Sequence, residues 1–133
     1  MKYFTIDELT ASATAQRAGI DNTPTAEARK ALVELVEAVL DPLREAWGKP
    51  IRVNSGYRSA ELNRKVGGTA TSQHLRGEAA DITTGSRSEN IRLYALLRHL
   101  QLEVDQAINE HSGQWLHVSH TGRRPNRHQF FNQ

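Results

Sequence analysis

The chain contains no cysteine, a single methionine and only 6% aromatic residues among its 133 positions. The absence of cysteine excludes a disulfide framework and any metal held by thiolates. No stretch approaches the roughly 20 consecutive apolar residues that a membrane-spanning helix needs. Stability must therefore come from the packing of a modest core, because no covalent cross-link is available.

An excess of charge of one sign is also absent. The formal net charge is +2 with histidine neutral, and charged residues make up 24% of the chain. So slight a basic excess is weak evidence for nucleic-acid binding, although it favours encounter with an anionic polymer through long-range attraction. The length and the 38% apolar content predict one small domain that spans residues 1–133.

A secretory signal is missing as well. The first residues, Met1 to Leu9, include polar and charged side chains and lack the apolar run of such a signal. We therefore expect the product to stay in the cytoplasm of the producing cell unless another agent releases it.

Hydrophobic periodicity predicts helices that cover a small sheet. A capping-box pattern beginning at Thr5 predicts a short helix near the N-terminus. Apolar residues recur every three or four positions from Thr25 to Trp47, which predicts a long helix with Pro42 as a kink or break. Ser88 is the predicted N-cap of a later helix whose apolar face packs on the sheet.

Strands are predicted near positions 51, 80, 105 and 116. A short loop joins the segments 102–109 and 115–119, which favours an antiparallel pair. Strands mixed with covering helices, rather than strict alternation of the two, predict an α+β fold. We expect a small, mainly antiparallel sheet flanked by helices.

The basic C-terminal tail, residues 121–133, is polar for most of its length. We predict a solvated tail, with Phe130 and Phe131 available to anchor its end. Contact with nucleic acid is the less favoured interpretation of its arginines.

The stretch from His74 to Asp81 is the strongest candidate for chemistry. On one continuous helix these two residues would lie about 10.5 Å apart along the axis, too far to share a metal ion. Zinc holds nitrogen and carboxylate ligands at about 2.0–2.2 Å, so the segment between them must turn. Gly77 can make this turn, because it accepts backbone angles that other residues avoid.

A third ligand is available in the strand Trp115–Ser119. The strand period of two places Trp115, His117 and Ser119 on one face, where the polar pair can line a cleft. His74, Asp81 and His117 would then form a catalytic zinc site with an open position for water. Ordinary hydrogen-bonded histidines are the alternative interpretation of the same spacing.

The motifs around these residues resemble the peptidase M15 family. The matching segments are Ser55-Gly56-Tyr57-Arg58-Ser59, Asn63 with Val66-Gly67-Gly68, Ser72-Gln73-His74 through Gly77-Glu78-Ala79-Ala80-Asp81, and Trp115-Leu116-His117-Val118-Ser119. The likeness covers nearly the whole chain in order and is greatest to the M15A-like, phage and prophage branch. Members of the family are zinc D,D-carboxypeptidases and peptidoglycan L,D-endopeptidases, including phage endolysins.

The resemblance implies a zinc peptidase that hydrolyses peptidoglycan stem peptides, with Zn²⁺ held by His74, Asp81 and His117. It also implies a fold of the lysostaphin/D,D-peptidase/hedgehog type. We expect a monomer that reaches the bacterial cell wall after release by a holin, or as part of a virion. The alternative is a non-catalytic, zinc-containing wall-binding module of the same fold, and a nucleic-acid-binding domain is a third, less favoured function.

The same resemblance makes Arg58 the arginine that orients the substrate in catalysis. A guanidinium offers a fixed fork of donors that matches a carboxylate. Tyr57 and Ser72 are further substrate-binding candidates. The alternatives are a surface ion pair for Arg58 and a turn-shaping role for Ser72.

The general base is the point at which this chain departs from the family. In well-known members an acidic residue lies three positions before the last histidine ligand, whereas this chain has Gln114, and an amide cannot act as a base. Glu110 is the preferred replacement. Asp105 is the second candidate, although its simpler role is to orient a histidine ligand. His111 and His120 are interpreted as non-ligands.

Overall fold

The structure is a computed structural model that describes residues 1–133, and a five-stranded sheet forms its centre. The strands are Arg52–Ser55 (β1), Ala79–Thr83 (β2), Gln106–Glu110 (β3), Trp115–Ser119 (β4) and Gln129–Asn132 (β5). The α-helices are Ile6–Thr10 (α1), Ala13–Ala18 (α2), Ala26–Leu35 (α3), Asp41–Trp47 (α4), Ala60–Lys65 (α5) and Arg87–Leu100 (α6). A π-helical turn, Val36–Leu40, joins α3 to α4, and a 3₁₀ turn, Gln73–Arg76, precedes β2.

The strands lie side by side in the order β1-β2-β4-β3-β5. Neighbouring strands are antiparallel except β3 and β5, which run parallel. The predicted α+β class and the mainly antiparallel sheet are therefore confirmed. The four predicted strands are present, and the C-terminal segment adds a fifth that the sequence pattern does not predict.

Alternation along the strands gives the sheet one apolar face and one face that carries the candidate site. Ile82 and Leu116, which are partners across β2 and β4, are fully buried in the core with side chains from α1, α3, α4 and α6. Asp81 and His117 are the adjacent pair of partners, so they project from the opposite side of the sheet. We call that side the site face.

Residues 26–47 form one helical stretch, as the apolar periodicity predicts, but its middle turn is wider than that of an α-helix. The Asp41 N–H donates to the Val36 carbonyl, five residues earlier. Pro42 follows in the first turn of α4 and has no N–H to donate. The π-helical turn thus accommodates the proline without ending the helix. No helix of the structure has the length and apolarity that a membrane crossing requires.

Side-chain caps set the start of several helices. Thr5 and Glu8 form the predicted capping box at α1. The N-cap of α6 is Ser86, which has an extended backbone and accepts from the Glu89 N–H. The predicted cap Ser88 is therefore wrong, since it lies inside the first turn, where its backbone is already helical.

The C-terminal segment is docked on the domain. Arg124 and Arg127 each form an ion pair of 2.8 Å with Asp105, and β5 extends the sheet next to β3. Phe130 packs against the core, so it does anchor this end of the chain. Two basic residues of this segment are bound to a carboxylate buried in the domain, so it is not a free tail. Most of its residues are nevertheless exposed, as the prediction of a solvated segment requires.

Gly77 makes the predicted turn into β2. Its φ of 72° lies in the left-handed region, and a Cβ added there would lie 2.3 Å from the carbonyl oxygen of Ala28. The turn therefore requires glycine for two reasons, its backbone angle and the close approach of α3. Gly67 has a similar φ of 78° but open space around it.

The substitutions Gly77→Ala and Gly67→Ala should separate these two effects. Each substitution forces an alanine into left-handed backbone angles, which lowers the free energy of unfolding by about 1–2 kcal/mol. Gly77→Ala should lose about 1–3 kcal/mol more, because the new methyl group overpacks the contact with α3. The free energy of unfolding measured in urea checks this difference. Equal losses in the two variants would contradict the close approach of the turn to α3.

Candidate metal centre

Three side chains that are distant in sequence meet on the site face. His74 comes from the 3₁₀ turn and Asp81 from β2, and His117 lies directly opposite Asp81 on β4. One donor atom from each lies within 4.8 Å of the other two. The side chains are 4–14% exposed, so the site is recessed but open to solvent. The structure therefore brings the three predicted ligands together.

Local contacts explain how the loop delivers His74. The Ser72 hydroxyl accepts from the His74 N–H at 3.2 Å and caps the 3₁₀ turn. Gly77 then turns the chain so that Asp81 returns to the same place one strand later. Of the two roles considered for Ser72, these contacts support the shaping of the turn.

A backbone carbonyl determines which nitrogen of His74 is free. Nδ1 lies 2.7 Å from the carbonyl oxygen of Gly56, which can only accept, so Nδ1 carries the hydrogen. In the neutral ring, the form that binds a metal, Nε2 is then without a hydrogen, and it lies 3.4 Å from Asp81 Oδ1. His74 thus presents a bare nitrogen to this carboxylate.

A buried ion-pair cluster determines the orientation of Gln73. Asp105 is fully buried. Burial alone raises the pKa of Asp105, but hydrogen bonds from Arg127 and Arg124 outweigh it and keep that pKa below its ordinary value. The ionised carboxylate can only accept, so it takes a hydrogen bond of 3.1 Å from Gln73 Nε2.

Gln73 in turn determines the free nitrogen of His117. With its Nε2 bound to the carboxylate, Gln73 turns its Oε1 toward His117 Nε2, 2.8 Å away. An amide oxygen only accepts, so His117 Nε2 carries the hydrogen, and in the neutral ring Nδ1 is bare. Nδ1 lies 3.1 Å from Asp81 Oδ1. Both imidazoles therefore direct an unprotonated nitrogen at one carboxylate oxygen.

This arrangement fits a zinc ion. The guanidinium of Arg58 lies 3.6 Å from Asp81 Oδ2 and favours the ionised form of this carboxylate. Its Oδ1 lies 3.4 and 3.1 Å from the two bare nitrogens. Ligands about 2.0–2.2 Å from a tetrahedral zinc are about 3.3–3.6 Å apart. Two imidazoles and one carboxylate leave a fourth position open, as in catalytic zinc sites.

Arg58 lies beside Asp81 and is held on three sides. Its Nη2 is 3.6 Å from Asp81 Oδ2, its Nε donates to Ser55 Oγ at 3.1 Å, and its Nη1 donates to Asn63 Oδ1 at 3.2 Å. Burial lowers the pKa of Arg58, and the adjacent Asp81 opposes that shift. The side chain is 17% exposed, so it is a positioned cation at the site, not one arm of a surface ion pair.

Glu110 is the carboxylate that can reach the site. It lies at the end of β3 opposite Trp115, and is therefore the diagonal neighbour of His117. Diagonal neighbours across an antiparallel pair are about 7–8 Å apart, within reach of a long side chain. Gln114 lies outside β4, in the turn that precedes it, and is exposed. Asp105 is wrong as a base, since arginines engage both of its oxygens.

Three other expectations can be compared with the structure. Tyr57 is 7% exposed and belongs to the core cluster, so little of its surface is available for the predicted contact with substrate. His120 Nδ1 lies 2.6 Å from the carbonyl oxygen of Glu103. The His111 ring packs against Trp115. Neither histidine belongs to the group of three side chains that could hold a metal ion.

Sequence reasoning does not assign roles to Gln73 and Asn63. Gln73 links Asp105 to His117, so Asp105 does orient a ligand, but through an amide between them. Asn63 accepts from Arg58 and donates to the carbonyl of Thr69. Both residues lie in the motifs that carry the family resemblance. Their presence in those motifs is the only feature of the sequence that indicates a role for them.

The profile described as peptidase M15 matches residues 2–119. The chain belongs to the peptidase M15 family. A zinc D-Ala-D-Ala carboxypeptidase of Streptomyces albus G is 49% identical over 49 residues, which cover 36% of this chain and 19% of that protein. The match thus spans about a fifth of the length of this relative.

Removal of any one of the three donors should abolish stoichiometric zinc in this M15 domain. His74→Ala, Asp81→Ala and His117→Ala each leave two ligands, and the loss of affinity should exceed the 10–100-fold, roughly, that supporting residues contribute. Metal analysis after dialysis against a graded zinc chelator measures the effect. His99→Ala, an exposed histidine on α6, is the control that should retain zinc. Retention by all three variants would refute the site.

Gln73→Leu should weaken zinc binding by about 10–100-fold, because His117 loses the acceptor that fixes its free nitrogen. Gln16→Leu, at an exposed position of α2, is the matched control. The ¹⁵N chemical shifts of the His117 ring should also show a mixture of tautomers in the variant. Unchanged zinc affinity together with an unchanged tautomer would rule out the role of Gln73.

Proposed function

We propose that this chain is a zinc-dependent peptidase that hydrolyses the stem peptides of bacterial peptidoglycan. The observation that carries the proposal is the convergence of the bare nitrogens of His74 and His117 on Asp81 at an accessible face. Membership of a peptidase family makes amide hydrolysis the expected chemistry. The name of the Streptomyces relative supports a peptidoglycan peptide as substrate.

The reaction needs a proton acceptor and a group that holds the substrate. Bound zinc would supply a Lewis acid that activates water and polarises the scissile carbonyl. Arg58 lies beside Asp81 Oδ2 with its guanidinium already fixed. It can donate to a carbonyl or carboxylate oxygen of the peptide and so orient the bond to be cut.

Glu110 is the proposed general base. It would accept a proton from the attacking water and pass it to the leaving amine. Its position supports the role, since it shares the site face with His117 and, unlike Asp105, is not held by arginines. The backbone carbonyl of Glu110 accepts from the N–H groups of Gly113 and Gln114, which fixes the start of the β3–β4 turn.

A more specific form of the proposal is that the protein is an endolysin of the phage or prophage type that acts as a monomer. The motif resemblance supports it, as does a slight excess of positive charge, which favours encounter with an anionic wall. In this proposal the protein is made in the cytoplasm and reaches the wall after release by a holin or as part of a virion.

Glu110→Gln should retain zinc but lose about 10²–10⁴-fold in hydrolysis, because the amide cannot accept the proton. Purified protein is incubated with cell-wall sacculi, with zinc or with chelator, and new amino groups are measured. Glu103→Gln, an exposed carboxylate just before β3, is the control that should keep full activity.

Each outcome of this assay has a distinct meaning. Zinc-dependent release of amino groups by the wild-type protein supports the peptidase. Unchanged turnover in Glu110→Gln would transfer the role of base to another group. A wild-type protein that binds zinc and sacculi but releases no amino groups would instead be a non-catalytic wall-binding module, the outcome that the amide at Gln114 favours.

A further inference from the structure

The strand register places a second row of side chains next to the metal ligands. Arg52 on β1 pairs with Thr83 on β2, two residues beyond Asp81. Since Ile82 pairs with Leu116, Thr83 is next to Trp115 on β4, and Trp115 pairs with Glu110. Arg52, Thr83, Trp115 and Glu110 therefore follow one another across neighbouring strands, although the Thr83 hydroxyl is itself buried and accepts from Asn90 of α6. Two residues of a strand separate this row from the ligands by about 7 Å.

A cavity of about 420 Å³ lies at the β1 end of this row. Its lining includes two cations, Arg52 and Arg87, together with Thr83 and the Trp115 indole, and no acidic residue. Arg87 Nη1 donates to the backbone carbonyls of residues 111 and 112, 3.1 Å away in each case. These hydrogen bonds fix the Arg87 guanidinium at the wall of the cavity. Arg52 is exposed, and the lining offers no carboxylate to neutralise it.

The position of this cavity relative to Arg58 indicates which part of a substrate it meets. Arg52 begins β1 and Arg58 follows its end, while Ser55 pairs with Asp81 between them. The two arginines thus flank the metal ligands from opposite sides. A peptide extends about 3.3–3.6 Å per residue, so a group in the cavity lies about two residues from the bond being cut.

We propose that the cavity lined by Arg52 and Arg87 binds a free carboxylate of the substrate peptide, about two residues from the scissile bond. The inference rests on the proposed peptidase function and adds to it a preference for acidic peptides. Peptidoglycan stem peptides carry a glutamate with a free carboxylate, and this is the chemistry that a guanidinium in a cavity without acidic residues would select.

Two synthetic stem peptides test the preference, one with the free glutamate carboxylate and one with that group amidated. Both keep the same C-terminal carboxylate, so only the internal charge differs. We expect wild-type protein to prefer the acid by about tenfold in kcat/KM, mainly through KM, because one charge-assisted contact distinguishes the peptides. Arg52→Gln should reduce this ratio to near one, mainly by raising KM for the acid, and Arg52→Lys should restore part of the preference.

Control measurements keep the outcomes distinct. Arg92→Gln alters an arginine that is 76% exposed on α6 and should retain the preference. Equilibrium binding of both peptides to zinc-loaded Glu110→Gln protein, with and without Arg52→Gln, reports on the cavity even if nothing is cleaved. If the acid binds preferentially but the wild-type protein hydrolyses neither peptide, the peptidase function is rejected. The carboxylate-binding role of the cavity is then still supported. Equal binding of acid and amide, or a preference that survives Arg52→Gln, would overturn the inference.

Discussion

The hydrogen-bond chain from Asp105 through Gln73 to His117 controls the chemistry of the site. A carboxylate that only accepts decides which end of the Gln73 amide faces His117, and the amide decides which ring nitrogen keeps its hydrogen. The unprotonated nitrogens of both histidines then meet at one oxygen of Asp81. Without this chain the imidazole of His117 could offer either nitrogen, and the three donors would have no fixed common point.

The register of the sheet provides the second constraint. Because Asp81 pairs with His117 and each strand alternates, every residue two positions away also lies on the site face. The same rule places Glu110 diagonal to His117 and Arg52 beside Thr83. A slip of one residue between β2 and β4 would move the donors into the core and the core leucine Leu116 to the surface, so burial of that leucine stabilises the site indirectly.

The parts of the site that depend on local pattern could be predicted from the sequence, and those that depend on packing could not. Strand alternation and the turn at Gly77 are local, and they correctly bring His74, Asp81 and His117 together. Ser86 and Ser88 offer the same capping chemistry, and only the backbone angles distinguish them. The burial of Tyr57 and the pairing of Asp105 with residues 124 and 127 arise from contacts between distant segments, which the sequence pattern does not encode.

The docked C-terminal segment has a consequence for how the protein matures. Translation proceeds from the N-terminus, so all three metal donors leave the ribosome before Arg124 and Arg127, which hold the Asp105 carboxylate. A nascent chain that ends at Ser119, where the family profile also ends, already contains every donor but lacks both of these guanidinium groups. The arrangement that selects the His117 tautomer is thus complete only when Arg124 and Arg127 are in place at Asp105.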